Sequence, residues 1–335
     1  MTEPLRPDES PKPTTESPGP RAFGLTTFTI EGRRAPALFL VGWLSTVIGG
    51  GVAALTLVGI TGLPGTILWL IGLAGAAFGL ILLGGSQTVE RRAVGAPYAG
   101  PSPFLVFLVV LAASQLAGFA VGLPLSLIAN GIPRPVGDLL GVIVQAGVFA
   151  GVLRLMVVAA GVMTWTEMGV VRGLANAGRA MLGGAVFAGP VILVTAVVAA
   201  VASQIAGAVP ASPLPPTGTP AGLVLHLLAG AVVAPVAEEL LVRGFALTAW
   251  RRTVGARGAI VRSSLVFVLA HVLFVGGEGF RDAASLAFVA GLARVPVAIA
   301  LGWLYVRTGS LWGPIGLHAA YNAILIVIGE TAAGA

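Results

Sequence analysis

Residues 231–249 read AVVAPVAEELLVRGFALTA, a stretch with the aliphatic composition of a membrane span that nevertheless carries Glu238, Glu239 and Arg243. At the bilayer centre each charge costs roughly 2.5–3.5 kcal/mol on insertion scales, whereas each Leu, Val or Ile returns only about 0.3–0.6 kcal/mol. The aliphatic residues here do not offset three charges. Either the segment lies outside a membrane, or its charges face protein and water and are kept for a task.

The composition decides between these. Of 335 residues, 56% are hydrophobic and 10% charged, against about 25% charged in soluble domains. Such a chain is an integral membrane protein, and the only open-ended way to span a bilayer with every backbone group satisfied is an all-α helical bundle. The 48 glycines and 23 prolines suit transmembrane helices, which pack through small residues and tolerate proline. There is no cysteine, which excludes a disulfide framework and any thiolate-based zinc or protease site. Basic residues outnumber acidic ones, 19 to 13. Nearly all are arginines lying between apolar runs, Lys12 being the lysine. They read as topology signals and as a surface for anionic membrane lipid, not as a nucleic-acid footprint.

Residues 1–35 are rich in Pro, Ser, Thr and acidic residues, the composition of a disordered tail, and carry no signal-peptide core. Apolar runs of spanning length follow at 37–59, 66–84, 104–128, 137–163, 183–208, 221–249, 259–275, 284–306 and 313–329, which predicts about eight to nine transmembrane helices. The expected organisation is a tail over 1–35, amino-terminal helices and an interfacial segment over 36–182, and a membrane core over 183–330. Within 36–182, the stretch 164–182 is amphipathic enough to lie along the membrane surface. With the amino terminus inside a cell membrane, Arg33, Arg34, Arg91, Arg92, Arg172, Arg179, Arg251, Arg252, Arg257, Arg262 and Arg307 all fall on the cytoplasmic side, and Arg134 and Arg281 outside. A missed or invented helix in the middle would erase that bias.

The opening stretch is then the sixth span. Glu239 and Arg243 are four apart on one face, acid before base, the favourable order for an ion pair. Glu238 is turned about 100° away and has no partner on its own helix. Pro235 lacks an N–H and loosens the bond to Ala231 beside it. Partners for Glu238 come from His271 in the seventh span and from His318 and Asn322, one turn apart in the last. At about 1.5 Å per residue, Glu238 and Asn322 lie roughly 15–18 Å deep, His318 about 9 Å and His271 nearer 20 Å, overlapping enough for one site. His226 lies near the outer end of its span and stays apart.

These residue types suit water activation and attack on a carbonyl. A desolvated glutamate can serve as general base, and imidazoles or an asparagine amide can orient the water or hold an oxyanion. Glu238, His271 and His318 could equally hold a zinc ion whose bound water becomes hydroxide. The spacing leaves both versions open.

The set "EELLVR" (Glu238, Glu239, Arg243), "FVLAH" (Phe267, His271) and "HAAYN" (His318, Asn322), in that order, resembles the CAAX-protease and bacteriocin-processing family of intramembrane endopeptidases, which includes the type II CAAX prenyl endopeptidases. "LGWLYVRTGSLWGPIGLHAAYN" also resembles that family's closing segment, and the likeness covers roughly 183–329. It implies an all-helical membrane protease acting on a peptide or lipid-modified protein from a cavity open to the cytoplasm and inner leaflet. It also implies Glu238 as the base, with Glu239 and Arg243 supporting it. His271 would hold the water, and His318 with Asn322 the oxyanion. The readings from other classes are a non-catalytic adaptor of the same fold and an ion-coupled transporter.

Overall fold

The computed structural model describes residues 29–128, 131–170, 173–210 and 214–334. The expected disordered tail lies outside the described residues up to position 28, as does Arg172. Among the described residues there is no strand, and eight helices are long and apolar enough to cross a membrane. The protein is a polytopic helical bundle.

The chain runs through α1 (Pro36–Ala54), α2 (Gly62–Ala93), α3 (Pro103–Ile128), α4 (Arg134–Leu153), α5 (Leu174–Ala185) and α6 (Ala188–Ala206). It continues through α7 (Pro220–Leu227), α8 (Ala234–Glu239), α9 (Thr248–Val272), α10 (Phe280–Thr308) and α11 (Trp312–Gly334). Between hydrophobic helices in lipid there is little hydrophobic gain, so close approach must come from small residues. The α1–α2 pair shows this. A Cβ on Gly49 would stand 2.3 Å from the Ala76 nitrogen, and one on Gly72 would stand 2.4 Å from that of Ala53. The crossing of α5 and α11 is closer still, with a Cβ on Gly316 falling 2.0 Å from the Met181 carbonyl oxygen and one on Gly184 falling 2.0 Å from that of Gly313.

All nine apolar runs are helical over most of their length, but two of them share one helix. Residues Pro220–Val272 form a single 53-residue candidate span. Straight, it would be about 80 Å long, far beyond the roughly 30 Å of hydrocarbon. It is not straight: Gly255 has φ 73° and ψ 177°, a conformation open essentially to glycine alone. Glu238 and His271 lie at nearly equal distances along the chain on either side of Gly255, and their side chains meet at 3.9 Å. The helix therefore folds back at Gly255 as a hairpin. The expected sixth and seventh spans are its two legs.

One end of the bundle gathers the arginine-bearing loops. Glu90 Oε1 accepts a hydrogen bond from the Arg34 amide at 2.6 Å, tying the start of α1 to the end of α2. Arg91 donates to the Gly100 carbonyl and Arg92 to that of Ala160. Arg252, beside the hairpin tip, donates to Glu167 Oε1 at 2.7 Å. The Leu311 amide, at the α10–α11 turn, reaches the Gly169 carbonyl at 3.0 Å. This clustering is the charge segregation read from the sequence.

The expected surface-lying stretch 164–182 divides in two. Residues 164–170 are turns in this arginine-rich layer, whereas 174–182 begin α5, which docks on the start of α11 at the glycine crossing rather than lying free. At the opposite end, Glu330 near the end of α11 accepts from the Thr217 amide (2.9 Å), the Thr217 hydroxyl (2.9 Å) and the Gly218 amide (2.6 Å), anchoring the proline-rich loop before α7. The Pro220–Val272 helix has the largest buried share of any candidate span, 39% of its most apolar window against 11% for α1. It is the central element, and the charged stretch sits in it.

Candidate active site

The descending leg of the hairpin is not a regular α-helix. It is α-helical to Leu227, a π-helix over Leu228–Val233, α-helical again over Ala234–Glu239, and a π-helix over Leu240–Leu247. Such bulges cost hydrogen-bond geometry and gather at functional sites. Glu238 and Glu239 close the short α-helical piece between the two.

Pro235 explains the first bulge's outer contact. The Ala234 amide bonds to the Ala229 carbonyl, an i→i−5 register. The next bond in that register would run from residue 235 to the Gly230 carbonyl, and proline has no N–H to give. The orphaned Gly230 carbonyl is met instead by Asn322 Nδ2 from α11 at 2.7 Å. The sequence points to Ala231 as the carbonyl that Pro235 leaves weak. The π register moves the vacancy one residue back, to Gly230.

Glu239 and Arg243 pair as their spacing predicts, Arg243 Nη1 donating to Glu239 Oε1 at 2.9 Å with both side chains fully buried. The guanidinium has two further contacts. Its Nη2 donates to the Ala298 carbonyl of α10 at 3.1 Å, and its carbon stands 4.6 Å from the centre of the Phe267 ring. Glu239 also does more than balance the arginine. His318 Nδ1 donates to the same Oε1 at 2.9 Å, so a chain of contacts runs Arg243, Glu239, His318.

Glu238 leaves the helix on a different face, as expected. Its Oε2 is buried with no hydrogen-bond partner, and it lies 3.9 Å from His271 Nε2 and 3.9 Å from His318 Nε2. The hydrogen-bond network sets the tautomers. His271 Nδ1 faces the Phe267 carbonyl at 2.8 Å, which only accepts, so Nδ1 carries the proton. His318 Nδ1 donates to Glu239. In the neutral form of each ring Nε2 is then the acceptor, and it faces Glu238. The Phe267 ring packs against both, 4.5 Å from that of His271 and 5.7 Å, edge-on, from that of His318. Three acceptors converge on one spot. At 3.9 Å they are too far apart to bond directly and suitably placed to share one water.

These three are also the zinc candidates. Bonds of about 2.0–2.2 Å in a tetrahedral site bring ligand atoms within roughly 3.3–3.6 Å of one another, closer than either separation here. Among the described residues no group of three or more His, Cys, Asp or Glu side chains is close enough to hold a metal ion. As placed, the set does not fit zinc.

The structure thus brings together Glu238, Glu239, Arg243, His271 and His318, with Asn322 one turn along α11. His226 stays apart as expected: buried, it bonds Asp138 of α4 through Nε2 at 3.1 Å. Two further residues carry no role in the sequence reading. Phe267 appears there only as a motif letter, although its ring contacts both imidazoles. Arg294, half-buried in the middle of α10 one turn before Ala298, whose carbonyl receives Arg243, donates from Nη1 to the Ala290 carbonyl at 2.8 Å. The available signal for it is a lone arginine in the middle of an apolar run.

Residues 220–324 match the family model described as type II CAAX prenyl endopeptidase Rce1-like. This segment is similar to that family. The match covers about a third of the chain, from the start of α7 into α11, and contains the whole cluster. No curated protein and no solved structure matches the chain. The Rce1-like segment marks the chain as resembling membrane-embedded proteases that act on peptide or protein substrates.

Proposed function

We propose that the protein is an intramembrane endopeptidase that hydrolyses a membrane-anchored or amphipathic peptide near the cytoplasmic face of a cell membrane, with the amino terminus on that side and Glu238 activating the water. The observation that carries this reading is the partnerless Glu238 Oε2 facing two imidazole Nε2 atoms.

A water among these acceptors gives one proton bond to Glu238 and one to an imidazole, leaving a lone pair for a substrate carbonyl. In the attack Glu238 takes a proton and the hydroxyl oxygen bonds to the carbonyl carbon, whose oxygen becomes the oxyanion. Collapse of that intermediate breaks the C–N bond. Glu238 returns the proton to the departing amine, so the products are one carboxyl and one amino terminus and the glutamate is restored. Arg243 and Glu239 position His318. The Phe267 carbonyl fixes the tautomer of His271 and its ring fixes the orientation. No step passes through a metal.

The test is peptide cleavage by the purified protein in detergent against a library of lipid-anchored and amphipathic peptides, read by mass spectrometry. Wild type should yield defined products, and Glu238→Gln, which keeps the shape and loses the base, should lower the rate by about 10²–10⁴. A chelator arm should leave the rate unchanged. Equal cleavage by wild type and variant would remove Glu238 as the base, and no cleavage by folded wild type would turn the reading toward an adaptor or transporter.

A further inference from the structure

Toward the arginine-bearing end of the bundle the site is sealed. Glu238 and His271 keep 22% and 27% of their side-chain surface accessible, yet every residue of the same leg from Leu241 to Leu247 is buried. The seal is thin. Gly244 lies six residues from Glu238 on the descending leg, and Leu311 lies seven residues from His318 on the approach to α11, or no more than about 9–11 Å. At that level both meet one turn of chain, residues 164–170, which comes from outside the Rce1-like segment.

The turn is seated there by its residue types. Met168 is fully buried while Thr164, Thr166 and Glu167 are exposed, so the segment has an apolar inner side and a wet outer side. Glycine on both partners permits the close fit. A Cβ on Gly244 would stand 3.0 Å from the Met168 carbonyl oxygen, and one on Gly169, where φ is 82°, would stand 2.8 Å from Tyr305 Cε2. The backbone bonds of the turn are local. The Met168 amide donates to the Thr164 carbonyl at 3.2 Å, that of Gly169 to Thr166 at 3.0 Å and that of Val170 to Trp165 at 3.1 Å, so the turn can move as a unit. Its ties to the core are the Leu311 amide on the Gly169 carbonyl at 3.0 Å and Arg252 on Glu167 at 2.7 Å. The second is a well-exposed ion pair, of the kind that water weakens.

We infer that residues 164–170 are a gate between the site and the cytoplasm, closed in this structure, which swings outward in each turnover. The inference rests on the protease reading. Hydrolysis turns one neutral amide into a carboxyl and an amino terminus, both of which ionise in water and are costly to keep inside a membrane. The thin seal is the short route from the site to water on the cytoplasmic side. Closed, the turn keeps soluble peptides away from Glu238. Open, it lets the new termini leave.

The chain has no cysteine, so a pair can be introduced without background. The experiment uses the full chain in lipid nanodiscs with a peptide that wild type cuts. Glu167→Cys with Arg252→Cys replaces the exposed ion pair by two thiols, which are joined by a bis-methanethiosulfonate reagent with either a short or a long flexible spacer. Before coupling, the double variant should cut at the wild-type rate. The short spacer should lower kcat at least about tenfold, because product release becomes limiting, and a reductant should restore it. The long spacer, which lets the turn swing, should leave the rate unchanged, a dependence that a merely structural contact would not show. Amide hydrogen exchange on wild type is a second measurement that needs no substitution. The amides of Met168, Gly169 and Val170 should exchange at least about tenfold faster than those of residues 266–269 in α9, because a gate opens without unfolding the bundle. A rate unmoved by the short spacer, or lowered equally by both spacers, overturns the inference and leaves the protease reading standing. Exchange at residues 168–170 as slow as in α9 also overturns it, and this measurement decides where the cysteine pair does not fold or couple. A wild type that cuts no peptide removes the protease reading and this inference with it, whatever the exchange shows.

Discussion

Replacing Asn322 by alanine removes the group that meets the Gly230 carbonyl, and the consequence can be worked from the backbone register. That carbonyl is left open because residue 235, next in the i→i−5 series after the Ala234 to Ala229 bond, is a proline. An unmet buried acceptor costs about 1–3 kcal/mol, while interhelical side-chain hydrogen bonds in membranes average about 0.6 kcal/mol with a maximum near 1.7. A loss of about 1–1.5 kcal/mol is expected for Asn322→Ala. Pro235→Ala restores an N–H in line with the same carbonyl. In that background Asn322→Ala should cost at least about 0.5 kcal/mol less, because the backbone now fills the vacancy. Equilibrium unfolding of the four proteins in mixed micelles measures the cycle. If the two substitutions add, with a coupling below about 0.3 kcal/mol, the proline does not create the vacancy that Asn322 fills, and the reasoning is wrong.

Gly316→Ala should destabilise severely and abolish any cleavage, because its Cβ would sit 2.0 Å from the Met181 carbonyl oxygen and α11, which carries His318, would have to move. Gly183→Ala, whose Cβ meets nothing within 4 Å, is the matched control, and thermal midpoints in detergent compare them. Glu167 accepts from the Thr164 amide at 2.8 Å and from its hydroxyl at 2.9 Å, and from Arg252 at 2.7 Å, and these bonds hold its carboxyl below the usual carboxylate value. A depressed folded value stabilises above the unfolded pKa and is lost as pH falls through the folded one. Glu167→Gln should therefore lower the thermal midpoint slightly at pH 7, the group being well exposed, and the difference from wild type should shrink as pH drops below about 4.

How much of the site was legible can be judged residue by residue. The division of labour between Glu238 and Glu239 follows from the 100° step of a helix and survives in the structure: one acid pairs with Arg243, the other is free to face the histidines. Helical phase is a local property, so the sequence carries it. The π register was not legible, because it depends on packing of this leg against its neighbours. Reading Pro235 in a regular α-helix points to the wrong carbonyl. Depth along the helix was readable only coarsely. His318 and His271 differ by about 11 Å in the estimate from helix ends yet both reach Glu238, since tilt and the level of each turn are set by neighbouring helices.

The sequence by itself determined the class, because apolar composition and span length are facts about solvation, and a chain this apolar has no other way to satisfy its backbone than as a membrane helical bundle. It also determined which residue types form the cluster, since charges and histidines in apolar runs are too costly to be incidental. The tertiary structure decided the rest: that two spans are one helix folded at Gly255, that both imidazoles turn Nε2 to one carboxylate oxygen, and that Asn322 meets the Gly230 carbonyl. Ring orientations and separations come from contacts between helices far apart in the chain, and no local pattern in the sequence encodes them.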